Sequence, residues 1–468
     1  MANINKRLLK KSGIYFIGNL SSKIMSAMLV PIYAFYVEAE DLGMYDYSQT
    51  VMGILAPIII VAIWEAILRF LLTEDDKEKK QSIISTTMFF SIFMSAFFVF
   101  LASFLAKLLP NPPMFMSQII LMIVLHSLVY VWQYSARGNA NNKLFVVSGI
   151  VSTVINFLLV LFLVVYQGLG LLGLYISYNL GQLSTILVLE TKLHLITKTR
   201  FSYFDYKLLK RMLIFSSPLV LNLISSWFIS GFGRTIITTK LGSEANGMYS
   251  FANKFSMIIV MVGSVITMAI IEEAILSLKG KGMDPLFAKT IKNLFILFLS
   301  LIIIAMPMIR FFYGIISDTD YVGSINFVPG LLLYAVFNTM ASNVGSVFQA
   351  INKTGYQFTT TLLGGIATFV ISWSLIGVVG IHSVVAAQII GALVMLISRY
   401  VFINRFIEFK INWLPITVLI FVFFVVAILS LSVSLTINFI IEVVLFGAGI
   451  YFNRQYIKTV LSKIRRRR

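Results

Sequence analysis

The chain has 468 residues, 59% of them hydrophobic and only 12% charged, with a mean hydropathy of +0.92. A soluble domain carries about 45–50% apolar and about 25% charged residues, so a soluble enzyme, a disordered chain and a nucleic-acid-binding module are excluded. The net charge of +18 is therefore read against membrane topology, and the absence of Cys removes disulfides, thiolate metal sites and a Cys nucleophile.

A helix that crosses a bilayer needs about 20 mainly apolar residues, and that ruler predicts fourteen spans. The first six cover residues 12–36, 44–70, 83–105, 114–136, 144–166 and 170–189. The next six cover 208–232, 248–271, 294–313, 327–350, 358–376 and 378–402, and the last two 413–431 and 435–452. Helices are expected because lipid cannot satisfy an open strand's backbone, and no stretch alternates as a barrel strand does. The first span is too long and polar for a cleavable signal sequence. The connections are too short for a soluble catalytic domain, so the chain is expected not to be an enzyme. An all-α polytopic membrane protein follows.

Orientation comes from the 37 Lys and Arg residues. With the N-terminus inside, only Lys107, Arg234, Lys240 and Arg310 fall in outside loops, and Lys23 and Lys254 fall within spans. All the others lie in the two terminal arms and the inside loops, which places both termini in the cytoplasm. The acidic first outside loop, Glu38-Ala39-Glu40-Asp41, agrees. The four arginines at 465–468 suit anionic lipid headgroups, at about 1 kcal/mol per charge.

Three short matches point to a duplication. Asn19-Leu20-Ser21-Ser22 finds Asn222-Leu223-Ile224-Ser225 at an offset of 203. Gly43-Met44-Tyr45-Asp46-Tyr47 finds Gly247-Met248-Tyr249-Ser250-Phe251 at 204, and Gly170-Leu171-Leu172-Gly173-Leu174 finds Gly377-Val378-Val379-Gly380-Ile381 at 207. Residues 1–200 and 201–410 are thus predicted as two six-helix bundles, with 411–468 supplying two more helices and a basic cytoplasmic tail. Six is even, so both bundles share one orientation, an arrangement that favours a central cavity and alternating access.

An ionisable group at mid-membrane costs about 2.5–3.5 kcal/mol, so it faces a cavity or a partner. Lys23, Asp46, Glu65, Arg69, Arg234 and Lys254 fall in or near spans 1, 2, 7 and 8, the same two helices of each repeat. Lys23, Lys254 and Arg234 are candidates for an anionic substrate group. Each also has a plainer reading, as a snorkelling or structural Lys or a helix-end Arg. Glu65 and Arg69, spaced i,i+4 with the acid first, read as a self-neutralising pair or, with Asp46, as a gate or ion-coupling site. Glu442 stands alone in span 14. Tyr45 and Tyr249, with Asn19 and Asn222, are candidate sugar contacts, although aromatic belts and helix–helix hydrogen bonding explain such residues equally. His126, His194 and His382 are too scattered for a metal centre. No phosphate-binding Gly-rich loop is present, and no cofactor is expected.

The sequence resembles the polysaccharide-type flippases of the multidrug/oligosaccharidyl-lipid/polysaccharide exporter superfamily. Lys10-Lys11-Ser12-Gly13-Ile14-Tyr15-Phe16-Ile17-Gly18-Asn19 entering span 1, Leu42-Gly43-Met44-Tyr45-Asp46-Tyr47 before span 2, and its echo Gly247-Met248-Tyr249 before span 8 carry the resemblance. It implies a cavity lined by spans 1, 2, 7 and 8, with spans 13 and 14 forming a groove for a lipid tail. It also implies transfer of a polyprenyl-pyrophosphate-linked oligosaccharide to the outer leaflet of the bacterial cytoplasmic membrane, beside a polymerase and glycosyltransferases. The alternatives are a cation-coupled drug exporter of the same superfamily and a membrane-embedded glycosyl- or phosphotransferase. For the last, the acidic turn Thr73-Glu74-Asp75-Asp76-Lys77-Glu78 reads better as a solvated loop.

Overall fold

A computed structural model describes residues 25, 28–110, 112–278, 285–351, 353–406 and 411–445. Among them every regular element is helical. In chain order α1 covers residues 28–36. It is followed by α2 (Ala39–Ile59), α3 (Ile63–Thr73), α4 (Lys77–Leu108), α5 (Met116–Gly138) and α6 (Asn142–Val160), which ends in a π turn, Leu161–Tyr166. Next come α7 (Gly170–Leu193), the short α8 (Leu195–Lys198), α9 (Tyr206–Ser230), α10 (Phe232–Leu241) and α11 (Ser243–Leu278). The chain continues through α12 (Pro285–Ile315), α13 (Val328–Ala350), α14 (Thr354–Val379), α15 (Ile381–Ile403), α16 (Leu414–Ser432) and α17 (Leu435–Leu445). Among the described residues ten helices are long and apolar enough to cross a membrane, and the bent pair α2/α3 makes an eleventh. The protein is a multi-pass membrane protein.

The polar caps act where helices start. Asp76 accepts from the amides of Glu78 and Lys79 at the head of α4, and Asp205 from those of Lys207 and Leu208 at the head of α9. Asp41, on α2, caps a different helix, accepting from the Leu171 amide of α7 at 2.9 Å. The acidic segment expected as a loop is thus partly helix. Glu40 and Asp41 sit in the first turn of α2, where the helix dipole favours negative charge.

Span 2 departs from the single helix expected. α2 and α3 meet at a bend of 53°, with Val61 and Ala62 in the left-handed region at φ of 49° and 43°. Pro57 lacks an amide hydrogen and loosens the last turn of α2, and the Ala62 amide reaches back to the Pro57 carbonyl at 2.8 Å. Span 7 is one helix, α9, and α10 follows it across Gly231, where a Cβ would collide with the Trp227 indole.

The helices group into two compact units, one of Met1–Ser250 with Thr361–Ala387, the other of Phe251–Thr360 with Gln388–Arg468. In the first, an apolar core forms from Ile63, Trp64 and Ile67 of α3, Met88 of α4, Val131 and Trp132 of α5, Leu189 of α7 and Met212 of α9. In the second, α13 is the central element. With the preceding turn it is 89% buried over its apolar window, whereas α6 in the first unit is 11% buried and presents its surface to lipid.

Candidate functional site

Within the first unit, the heads of α2 and α11 cross where the sequence repeats itself. A Cβ on Gly43 would overlap the Ser243 carbonyl oxygen, and a Cβ on Gly247 would overlap the Ala39 carbonyl oxygen. Positions 39 and 243, and 43 and 247, are equivalent under the offset of 204. The contact is therefore reciprocal, each copy's glycine admitting the other copy's backbone. Asn246 Nδ2 donates to the Gly43 carbonyl at 2.8 Å, and Ser243 Oγ lies 2.9 Å from Met44 Sδ.

Immediately behind the glycines, Asp46 collects three helices. Arg234 Nε of α10 lies 2.8 Å from Asp46 Oδ2, and Ser250 Oγ of α11 donates to the same oxygen at 2.7 Å. The Asp46 and Arg234 side chains are 11% and 16% exposed, so the ion pair sits largely out of solvent. Removing one partner would leave the other as an uncompensated buried charge, a loss of about 3–5 kcal/mol in a fully buried site. Trp227 Nε1 of α9 donates to the Thr50 carbonyl of α2 at 3.0 Å, fastening span 7 to span 2 from the next turn. Three helices thus close around one carboxylate at the end expected to face outside, with α9 fastened one turn away.

The candidate residues fall in different surroundings. Arg234 and Asp46, expected as an anion ligand and a gate or coupling group respectively, are brought together. Tyr45 and Tyr249 are buried, at 5% and 0% exposure, with Tyr45 packed edge-on to Tyr175 at 5.7 Å. In this arrangement protein covers both rings. Asn222 is exposed on α9. Lys254 is half-buried on α11, one turn beyond Ser250, in the second unit. Lys23 and Asn19 lie outside the described residues.

The other half of span 2 holds Glu65 and Arg69 on α3, but no ion pair joins them among the described residues. Glu65 lies beside the Tyr134 hydroxyl of α5, while the exposed Arg69 guanidinium lies 4.5 Å from the Phe215 ring centre on α9. The i,i+4 spacing permits a pair; neighbouring helices offer each side chain a competing partner instead.

Two features escaped the sequence reading. One is a polar aromatic line on α5, His126, Tyr130 and Tyr134, at i, i+4 and i+8. Its signal was the spacing, overlooked because His126 was weighed only as a metal ligand. Another, in the second unit, is Arg399 of α15, 3% exposed. Its Nε donates to Thr360 Oγ1 at 3.1 Å and its terminal nitrogen to the Ala341 carbonyl at 2.6 Å, with room for it made by Gly345. Glu442, noted from the sequence, lies on α17, and its buried Oε2 has no hydrogen-bond partner among the described residues. One turn away, Asn438 Nδ2 donates to the Pro307 carbonyl of α12 at 2.9 Å. Among the described residues no group of three or more His, Asp or Glu side chains could hold a metal ion.

A family model described as polysaccharide biosynthesis protein matches residues 8–271, more than half of the chain. No curated protein matches the sequence. In fold, the chain is similar to the lipid II flippase MurJ in an inward closed conformation, with a TM-score of 0.72 at 14% identity, covering 96% of this chain and 100% of that one. It is also similar to an inward-facing multidrug resistance MATE family transporter of the MOP superfamily, with a TM-score of 0.65 at 14% identity, covering 83% and 94%. A MATE protein in complex with MaD3S follows at 0.58 and 15%, covering 88% and 96%.

Proposed function

The chain belongs to the polysaccharide biosynthesis protein family, and on that premise we propose that it is a flippase for a polyprenyl-pyrophosphate-linked oligosaccharide. The substrate moves from the inner to the outer leaflet of the bacterial cytoplasmic membrane by alternating access. Glycosyltransferases supply it and a polymerase consumes it. The fold, that of the superfamily holding both lipid flippases and drug exporters, supports transport; the family match supports the saccharide cargo and is the observation that carries the reading. The crossed heads of α2 and α11 fit a gate closed at the outer end, with Asp46 and Arg234 as its latch.

The diphosphate is assigned to Lys23, with Arg234 available once it leaves Asp46, and Lys254 is the next candidate. Tyr45 and Tyr249 reach sugar only when the helix heads part, and Asn19 and Asn222 are the further sugar contacts. Moving a charge of about −2 outward across an inside-negative membrane is favourable by about 2 × 2.3 kcal/mol per 100 mV, so no nucleotide is needed. The drug-exporter alternative asks for a free carboxylate to hold a cationic drug. Asp46 is neutralised by Arg234, which leaves Glu65 as the span 2 carboxylate that this alternative would use.

Lys23→Ala tests the head-group assignment. Polymer export in a complementation assay falls to background with near-normal protein level, Lys23→Arg keeps part of it, and Lys23→Glu is worse than Ala because it repels the anion. Parental export by both the Ala and Glu variants would remove Lys23 from the site.

A further inference from the structure

Within the first unit, α5 touches α2, α3, α4, α6 and α7, so a side chain between α3 and α7 faces protein rather than lipid. His126, Tyr130 and Tyr134 project there from one face of α5, spaced over about 12 Å at 1.5 Å per residue. Each is partly buried and keeps some accessible surface.

Each is also held from a neighbouring helix. The Tyr178 hydroxyl of α7 and His126 Nδ1 share a hydrogen bond of 3.2 Å. Trp64 of α3 stacks on Tyr130 with ring centres 4.6 Å apart, and the Tyr134 hydroxyl lies beside Glu65 of α3. Arg137, next along the same face, places its guanidinium 4.8 Å from the Tyr134 ring centre.

We propose that the His126–Tyr130–Tyr134 face of α5 is a carbohydrate track that contacts the sugars of the transported lipid. The inference rests on the flippase reading and adds the part of the site that reads saccharide rather than diphosphate. The chemistry separates the ligand classes. Sugars present apolar C–H faces beside hydroxyls, and this face alternates ring surface with imidazole and phenol groups, backed by one carboxylate. A diphosphate would want several cations, whereas this stretch of α5 offers Arg137. A lipid tail would want neither imidazole nor hydroxyl. Bracing from α3 and α7 fixes the rotamers beforehand, which reduces the entropy lost on binding.

The test uses the full chain in lipid nanodiscs and two probes, undecaprenyl diphosphate and undecaprenyl diphosphate carrying a disaccharide. The wild type binds the glycosylated lipid about tenfold more tightly than the bare one. His126→Leu, Tyr130→Phe and Tyr134→Phe each erase much of that difference, about threefold or more, while leaving the bare lipid's affinity unchanged. The Phe variants keep the ring and so the packing, and Tyr130→Ala then removes the ring itself. Equal wild-type affinity for the two lipids would overturn the track while leaving the flippase reading standing. So would variants that weaken both lipids equally, or that leave binding intact and alter only the dependence of transport on a proton gradient. Binding of neither lipid would overturn the flippase reading, and the track with it.

Discussion

α2 and α11 begin alike and end differently. Both open on Gly-Met-Tyr, both bury the tyrosine, and each uses its glycine to admit the other's backbone. Three residues past its glycine each carries a polar group, Asp46 or Ser250, and the two bond to each other. Beyond that point α11 runs on as one helix to Leu278, whereas α2 stops at Ile59, turns by 53° and continues as α3. What the two copies share is the surface they present to each other. What sets them apart is the bend, and beyond it lie Glu65 and the half-exposed α5 face. A duplicated helix has kept its closing surface and given up its symmetry where polar groups line the interior.

The strongest way to break this picture is to fill the reciprocal contact. Gly247→Val puts a branched side chain where the Ala39 carbonyl lies. Backbone cannot move aside as a flexible side chain can, so the loss exceeds the about 1–3 kcal/mol usual for overpacking. The α2 and α11 heads should separate and export should fall to background. Thiol labelling of a Ser243→Cys reporter should rise several-fold, while unchanged labelling with normal export would show that the heads do not close on each other.

A smaller effect is expected at the latch. Asp46→Asn and Arg234→Met should each lower thermal stability by about 2–3 kcal/mol, less than for a fully buried pair because both side chains keep some exposure. The double variant should recover part of that loss, since neither charge is then stranded. Additive losses in the double-mutant cycle would show that the two groups are energetically independent.

The smallest structural effect belongs to the far half of span 2. Glu65→Gln keeps an acceptor for the Tyr134 hydroxyl, so the protein level should stay near normal. If Glu65 couples ions, transport loses its dependence on the proton or sodium gradient. Arg69→Met should change neither outcome, because Arg69 stacks on Phe215 rather than pairing with Glu65. A rescue of Glu65→Gln by Arg69→Met would show that the two residues do pair in the parent protein, against the side-chain positions.

Much of the helix plan was legible in the sequence, since a membrane forces long apolar helices and the runs that satisfy it are plain in the composition. The Gly43 and Gly247 motifs were legible as copies but not as partners. An offset establishes equivalence, whereas contact depends on how the copies are arranged in space. Asp46 and Arg234 were both marked as embedded charges, yet nothing in their positions along the chain says that one neutralises the other. The bend in span 2 left a trace in Pro57, but the apolar run continues across it and hydropathy is blind to direction. The α5 line was readable from its spacing. It was missed because tyrosines in membrane helices are so often interfacial.

The central claim is that the crossed heads of α2 and α11 form a gate that must open in each transport cycle. The chain has no cysteine, so a single introduced pair reports without background. Met44→Cys with Ser243→Cys replaces two side chains already 2.9 Å apart. Translocation of lipid-linked oligosaccharide should proceed in proteoliposomes under reducing conditions, stop when the disulfide forms, and resume on reduction. Full translocation by the cross-linked protein would contradict the claim.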